Sequence, residues 1–401
     1  MSRDHDKLVP FDRGRRHPDP ARVAEFAATA RKLQQEREVA AETVTRLLRE
    51  TPYAEWPSLA KREELRNSGG VEKLGVEGIV RLHRNPLEAL AIADLTVRIA
   101  DTLPADAYPA IVLAQLRANA WKDRGQALWY LARYQESLAA LDRAEQILNP
   151  FATVAHDRAI VRLIRASALQ DIHRFDEALA LLAESKTIFD DHGDKRRHLI
   201  CGIAEGAVLH HMRRYREARE VYHELLTVAH SLADDKAVAD LHNNIGHSSV
   251  ELGELDTAET HLVRAIELYA RLDLPVRVAS AELSRGRMMV RRGLINDAIR
   301  HLAITRDRFL CHGLVEEAGL CGLDLVEALL TSNMANEAEQ LARRIVNEFT
   351  AAQLNMRAIT ALGYLSEAIT ARRASAATAA NVRQYIYLLR KEPDRVFVAT
   401  A

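Results

Sequence analysis

Apolar and polar positions alternate along this chain in a frame that keeps returning: a bulky or apolar residue, two polar ones that usually include an acid, then a small one. It reads Tyr134-Gln135-Glu136-Ser137, Phe175-Asp176-Glu177-Ala178, Tyr215-Arg216-Glu217-Ala218 and Leu255-Asp256-Thr257-Ala258. The small member recurs at Ser137, Ala178, Ala218, Ala258, Ala298 and Ala338, spaced by 41 residues once and by 40 thereafter. A fixed period of this length, in a chain without strand signals, predicts a stack of antiparallel helix pairs.

Twelve residues before each small marker stand Gly125, Ala166, Gly206, Gly246 and Gly286, and only the sixth copy departs, at Val326. Glycine inside a helix costs about 1 kcal/mol relative to alanine, so its return implies a steric need for close approach. Four residues after the marker come Leu141, Leu182, Tyr222, Leu262, Leu302 and Ala342, read as knobs between neighbouring pairs.

Small, small again twelve on, and bulky four beyond that resembles the tetratricopeptide repeat. The fourth copy carries the likeness furthest, with Leu241, Asn244 and Gly246, then Gly253 to Ala258, then Leu262 and Ala265. Trp121 and Leu128-Trp129 flank Gly125 in the first copy, close to the family's aromatic positions. The common unit has about 34 residues, so this longer one is similar to the arrays of bacterial peptide-sensing regulators and of eukaryotic peptide-binding adaptors. The implied fold is all-α, a right-handed superhelical solenoid of about eight antiparallel helix pairs with a concave inner wall. The pairs are expected near 70–103, 110–148, 158–190, 198–231, 238–272, 278–311, 318–350 and 356–391.

Outside the repeats, residues 1–20 read as a flexible leader rich in Pro, Asp, Arg and His. Residues 21–69 read as an N-terminal helical segment, one helix or two to about Glu50. Pro52, Pro57 and then Asn67-Ser68-Gly69-Gly70 break it. The last pair is expected to close the array with a water-facing outer helix bearing Asn381, Arg383, Gln384 and Arg390, and 392–401 to be a tail.

Composition narrows the class. The 401 residues are 48% hydrophobic but 5% aromatic, too few rings for an all-β core. Lys and Arg total 55 against 56 Asp and Glu, so no global charge draws the chain to nucleic acid or membrane. No segment reads as a membrane span or secretory signal, and three cysteines suit a reducing compartment, so a cytoplasmic location is expected. Val23 to Leu48 lacks the two-helix pattern of a DNA-reading motif, which argues against direct nucleic-acid binding. No phosphate loop, nucleophile elbow or His-Glu-x-x-His is present, so neither catalysis nor a cofactor is expected. Cys311-His312 and Cys321 lack partners at zinc-site spacing, so no metal is expected.

The first helix of each pair lines the concave wall in the family, and there the resemblance points to a partner-binding groove. Its candidates are Lys122 and Trp129 in the first copy, Asp240, Asn243, Asn244 and His247 in the fourth, and Arg287 and Arg291 in the fifth. Asn244 resembles the asparagine with which peptide-binding members grip an extended backbone, since an amide both donates and accepts. Arg287 and Arg291, four apart on one face, suit a carboxylate or phosphate. Lys122 fits the family's chaperone-tail clamp, but Gln126 and Ile164 do not. His210, His211, His242 and His247 cluster in register and read as hydrogen-bonded histidines. The expected function is a non-enzymatic scaffold or adaptor that holds another protein or peptide, with homo-oligomerisation left open. The alternative is a peptide-sensing regulator whose superhelix changes geometry on binding.

Overall fold

The computed structural model describes residues 20–398, so the expected leader lies, apart from Pro20, outside the described residues. Seventeen α-helices and three short 3-10 segments make up the described chain. A single long helix, α1 (Pro20–Glu50), is followed by 3-10 turns at Tyr53–Lys61 and Glu63–Leu65. Eight helix pairs succeed it: α2 (Ser68–Leu82) with α3 (Pro86–Thr102), α4 (Ala110–Tyr130) with α5 (Tyr134–Leu148), α6 (Ala155–Asp171) with α7 (Phe175–Asp191), and α8 (Lys195–His211) with α9 (Tyr215–Ser231). Then come α10 (Asp235–Leu252) with α11 (Leu255–Arg271), α12 (Pro275–Arg291) with α13 (Ile295–Cys311), α14 (Val315–Thr331) with α15 (Ala335–Ala351), and α16 (Met356–Thr370) with α17 (Ala376–Lys391). From α2 to α17 each helix packs on its chain neighbours, which makes the fold an all-α solenoid. No described helix is long and apolar enough to cross a membrane.

The recurring glycine makes room for the knob of its own pair. A Cβ on Gly125, Gly206, Gly246 or Gly286 would lie 2.7, 2.4, 2.7 or 2.5 Å from Leu141, Tyr222, Leu262 or Leu302 respectively. The knobs therefore fill the space inside each pair, over the glycine, as well as joining the stack. In the first copy the small marker also bonds across the pair, Ser137 Oγ donating to Gly125 O at 2.7 Å. Asn67 to Gly70, expected as a break, instead starts α2: Asn67 caps the helix by accepting from Gly70 N, and Gly69 lies against α1, where a Cβ would sit 2.1 Å from Glu36 O.

The turns keep the same 40-residue step. Left-handed residues close the first helices at His173, Arg213, Gly253, Gly293 and Asn333 and the second helices at Gly193, Ala233, Asp273, Gly313 and Gln353. Each first-helix turn carries a bond from the residue after the left-handed one back into the helix's last turn, as from Arg174 N to Leu169 O at 2.9 Å.

Two features depart from an open spring. The first is α17, which packs on α14 as well as on α16. Helix α14 is buried continuously from Ala318 to Val326, and Val382, Tyr385, Ile386 and Leu389 of α17 join the cluster of Leu320, Leu323 and Leu325. A helix apolar on nearly every face needs cover on the concave side too. The expectation of a water-facing outer helix is thus corrected in part: Asn381 and Gln384 are exposed, but Arg383 pairs with Asp324 and Glu327, and Arg390 Nε donates to Glu316 Oε1 at 2.8 Å. Residues 392–398 are not a free tail, since Phe397 packs on Tyr364 and Tyr385.

The second is that the coil meets itself. The end of α2 touches the start of α12, with Val276 N donating to His83 O at 3.3 Å and Arg84 paired with Asp273. His312 contacts Arg84 O, and Arg390 lies 5.3 Å over the ring of Tyr134. The solenoid closes into a ring, and its concave wall becomes a chamber.

Candidate ligand chamber

The first helices of consecutive pairs turn one face each to the ring interior. On α10 that face is Lys236, Asp240, Asn244 and His247, spaced by four, four and three residues as one helical face requires. Helix α4 adds Lys122, Gln126, Trp129 and Tyr130, and α6 and α8 add Ile160, Leu163, Ile164, Ile200 and Ile203. The cavity is about 570 Å³ and partly open to solvent, within the usual range of ligand sites, with an apolar wall from the second and third copies facing a polar one.

Five of the residues proposed from sequence line this chamber: Lys122, Trp129, Asp240, Asn244 and His247. Trp129 Nε1 donates to Asp171 Oδ2 at 2.7 Å, which fixes the indole against the wall. Lys122 is held by Asn119 Oδ1 and Asp123 Oδ1, each at 3.2 Å. Asn244 Oδ1 accepts from Asn243 Nδ2 at 3.3 Å, while its own Nδ2 has no partner among the described residues. His247 stacks at 4.4 Å from His210, whose Nδ1 bonds Ser248 Oγ at 3.0 Å.

The other three do not line it. Asn243 is taken up with its neighbour. Arg287 Nε donates to Asp324 Oδ2 at 2.9 Å and its Nη2 to the phenol of Tyr387 at 3.1 Å, so the fifth-copy clamp is occupied by α14 and α17. Arg291 donates to Val250 O and Glu251 Oε2, both at 2.7 Å. Arg287 is therefore engaged by a later helix of the same chain.

The electrostatics are set by enclosure. Burial alone would raise Asp240, but the charges of Lys236 and Arg277 and hydrogen bonds from Lys236 and Tyr269 hold it at about 2. Burial presses His83 and His210 down to about 3, aided by Arg277 for the first and His211 for the second. His247 falls well below its ordinary value for the same reason, with His210 adding to it. These imidazoles are neutral at pH 7. Among the described residues no group of three or more His, Cys, Asp or Glu is placed to hold a metal.

Among the wall residues that the sequence did not single out are His83, Lys236, Tyr269 and Arg277. Lys236 and Arg277 lie in the first turns of α10 and α12, in the length by which this repeat exceeds the common unit. A signal existed, because Arg197, also on the wall, stands two repeat steps of 40 before Arg277.

No protein-family model matches this chain, and no curated protein sequence does either. Among solved structures it is similar to NprR in complex with its cognate peptide NprX, at 16% identity and a TM-score of 0.51, over 73% of this chain and 82% of that one. It is also similar to a signal transduction ATPase with numerous domains from Pyrococcus horikoshii that carries a tetratricopeptide repeat sensor, at 12% identity and a TM-score of 0.51, over 90% of this chain and 53% of that one. A Rap protein complexed with competence and sporulation factor aligns at 15% identity and a TM-score of 0.49, over 83% of this chain and 97% of its own. The fold is therefore a tetratricopeptide-like repeat solenoid. It places the chain among helical repeat proteins by architecture.

Proposed function

We propose that this protein binds a short peptide inside the ring and acts on a partner without catalysis of its own. The observation that carries the reading is the amphipathic chamber inside the ring. Its isoleucine and leucine wall suits apolar side chains, while Asn244 and its neighbours face them with groups that can bond a peptide backbone. A groove running the length of the array would favour a long extended segment or a helix of another protein, as an adaptor would hold; a chamber of about 570 Å³ favours a short one. That NprR, of similar fold, was solved with its cognate peptide supports the same reading. Membrane and nucleic acid stay outside it, as does a metal or cofactor, and the cytoplasm suits its unpaired cysteines.

The test offers random hexapeptides to the full chain and identifies those retained by mass spectrometry. Asn244→Ala is expected to weaken the retained peptides by about tenfold, the worth of one or two hydrogen bonds, with helicity unchanged. Retention that ignores Asn244→Ala would remove the residue from the site.

A sensor reading is favoured by one further observation: His83, Tyr130 and Arg277, which close the ring, also line the chamber. A ligand there touches both sides of the seam where the first pair meets the sixth, and biases its closure. Small-angle scattering with a retained peptide should then show a smaller radius of gyration, and an unchanged one would leave the adaptor.

A further inference from the structure

Four cations line the chamber, and three of them have carboxylates. Lys122 has Asp123 at 3.2 Å, Arg197 has Asp194 at 2.6 Å and Lys236 has Asp240 at 2.8 Å. Arg277 has none: among the described residues no carboxylate lies within 4.0 Å of it. Its Nη2 donates to Tyr130 Oη at 2.8 Å, its guanidinium lies 5.6 Å from the centre of that ring, and its Nε is buried without a hydrogen-bond partner.

Tyr130 does not neutralise it. A guanidinium only donates, so the phenol accepts from Arg277 and its own proton points to His83 Nδ1, 2.9 Å away. His83 is itself uncharged, since burial holds it far below its ordinary value. Asp240, the nearest acid by its influence on Arg277, has both oxygens in use, Oδ1 with Tyr269 at 2.6 Å and Oδ2 with Lys236. Two cations thus share one anion, and the corner has one positive charge in excess.

Position decides what could answer it. Tyr130 and Arg277 are bonded to each other and, with Trp129 and its partner Asp171, line both the chamber and a second cavity of about 270 Å³, so these four side chains stand between the two. A chain laid along the isoleucine wall toward Arg277 meets these side chains and ends. We propose that the corner formed by Arg277 and Lys236 receives the free C-terminal carboxylate of the bound peptide, an inference that rests on the peptide reading above. The planar fork of Arg277 matches a carboxylate in two parallel hydrogen bonds, and Lys236 adds charge from α10.

The test uses the full chain and random hexapeptides in two forms, C-terminal acid and C-terminal amide, at equal concentration. Binding of the retained sequences is then measured calorimetrically against wild type, Arg277→Gln, Arg277→Lys and Lys236→Gln, each with a thermal melt to check folding. Wild type should prefer acid over amide by at least about tenfold, as a hydrogen-bonded charge pair implies. That preference should fall to about twofold or less in Arg277→Gln, and partly in Arg277→Lys, which keeps the charge and loses the fork. Lys236→Gln should halve it or more, and it carries the test if the Arg277 variants do not fold.

Acid and amide binding equally to wild type would overturn the carboxylate site while leaving the peptide reading intact. Amides carrying an internal Asp or Glu that bind as well as acids, and weaken in Arg277→Gln, would give the corner to a side chain instead of a terminus. A preference that survives both Arg277→Gln and Lys236→Gln would take it away from this corner. Retention of neither form would defeat the peptide reading itself, and this inference with it.

Discussion

The guanidinium of Arg287 on α12 donates to the phenol of Tyr387 on α17, 3.1 Å away and one hundred positions along the chain. The same Arg287 pairs with Asp324 of α14, which Arg383 of α17 also reaches. Three helices are thus pinned on one carboxylate that is only 5% exposed. Removing one member of a buried ion pair leaves the other charge without an answer, typically a loss of 3–5 kcal/mol.

Asp324→Ala should therefore lower stability by roughly 3 kcal/mol and loosen α17 before the rest of the ring. Denaturant midpoints give the first number, and amide exchange gives the second. Amides of α17 should lose protection while those of α6 to α9 keep theirs. Equal protection across both would mean that α17 is held by its apolar face alone.

The glycine of the repeat makes a sharper test, because two glycines in helix interiors have opposite surroundings. Gly246→Ala puts a methyl 2.7 Å from Leu262 Cγ, and overpacking of this kind costs about 1–3 kcal/mol, more than the helix propensity it gains. Gly363 on α16 has no such neighbour within 4 Å, so Gly363→Ala should stabilise by roughly 0.5–1 kcal/mol. Urea unfolding of both variants checks the pair. A stabilising Gly246→Ala would end the close-packing account.

Gly246 also shows what was legible from sequence. The clock of small residues could be read because tight packing admits few residue types, and the period survives every change on the solvent face. The turns kept the same clock but hid it, since the left-handed residue is Gly at 253 and 293 yet His, Arg and Asn at 173, 213 and 333. Capping bonds hold these turns whatever the side chain. Arg383 and Arg390 looked like a solvated cap because charge alone does not say whether a partner waits inside. The sign lay elsewhere, in the sixth copy, where Val326 replaces the glycine and Leu320, Leu323 and Leu325 leave α14 without a wet face. Asn244 could be placed by register alone. Arg277 could not, because it stands in the extra turn that the shorter family pattern does not describe.

Acid should weaken the ring through its chamber histidines. His83 and His210 have folded values of about 3, below the ordinary 6.5, so between these limits the unfolded chain binds protons that the folded one refuses. Stability contributed by the neutral rings is complete above about pH 6.5 and is lost as pH falls toward 3. At pH 5 each would cost at most on the order of 2 kcal/mol, an upper bound because both rings border the chamber. Glu317 acts oppositely: burial first, and the charge of Glu316 next, raise it to about 7, so its cost grows as pH climbs from 4.5 to 7. Urea midpoints from pH 8 to 5 should fall less steeply in His210→Gln than in wild type. Parallel curves would show that His210 takes up its proton without penalty.

Closure of the ring turns on Tyr130, which accepts from Arg277 and shares a hydrogen bond with His83, and so ties α4 both to the turn after α2 and to α12. Tyr130→Phe keeps the ring and its packing but leaves the Arg277 Nη2 and the His83 Nδ1 without that partner. Each orphaned buried group costs about 1–3 kcal/mol, so the loss should lie near 2–4 kcal/mol, with water entering the chamber offsetting part of it. The remaining seam contacts are few: Val276 N to His83 O, His312 to Arg84 O, Arg390 over the ring of Tyr134, Leu87 beside Gly313, and the Arg84–Asp273 ion pair, which is exposed and contributes little. The coil should therefore open, and scattering should record a larger radius of gyration than wild type while helicity by circular dichroism stays the same. An unchanged radius together with a stability loss under about 0.5 kcal/mol would mean that the array holds its curvature by helix packing alone. The seam would then be a consequence of that curvature, with nothing for a ligand to tighten.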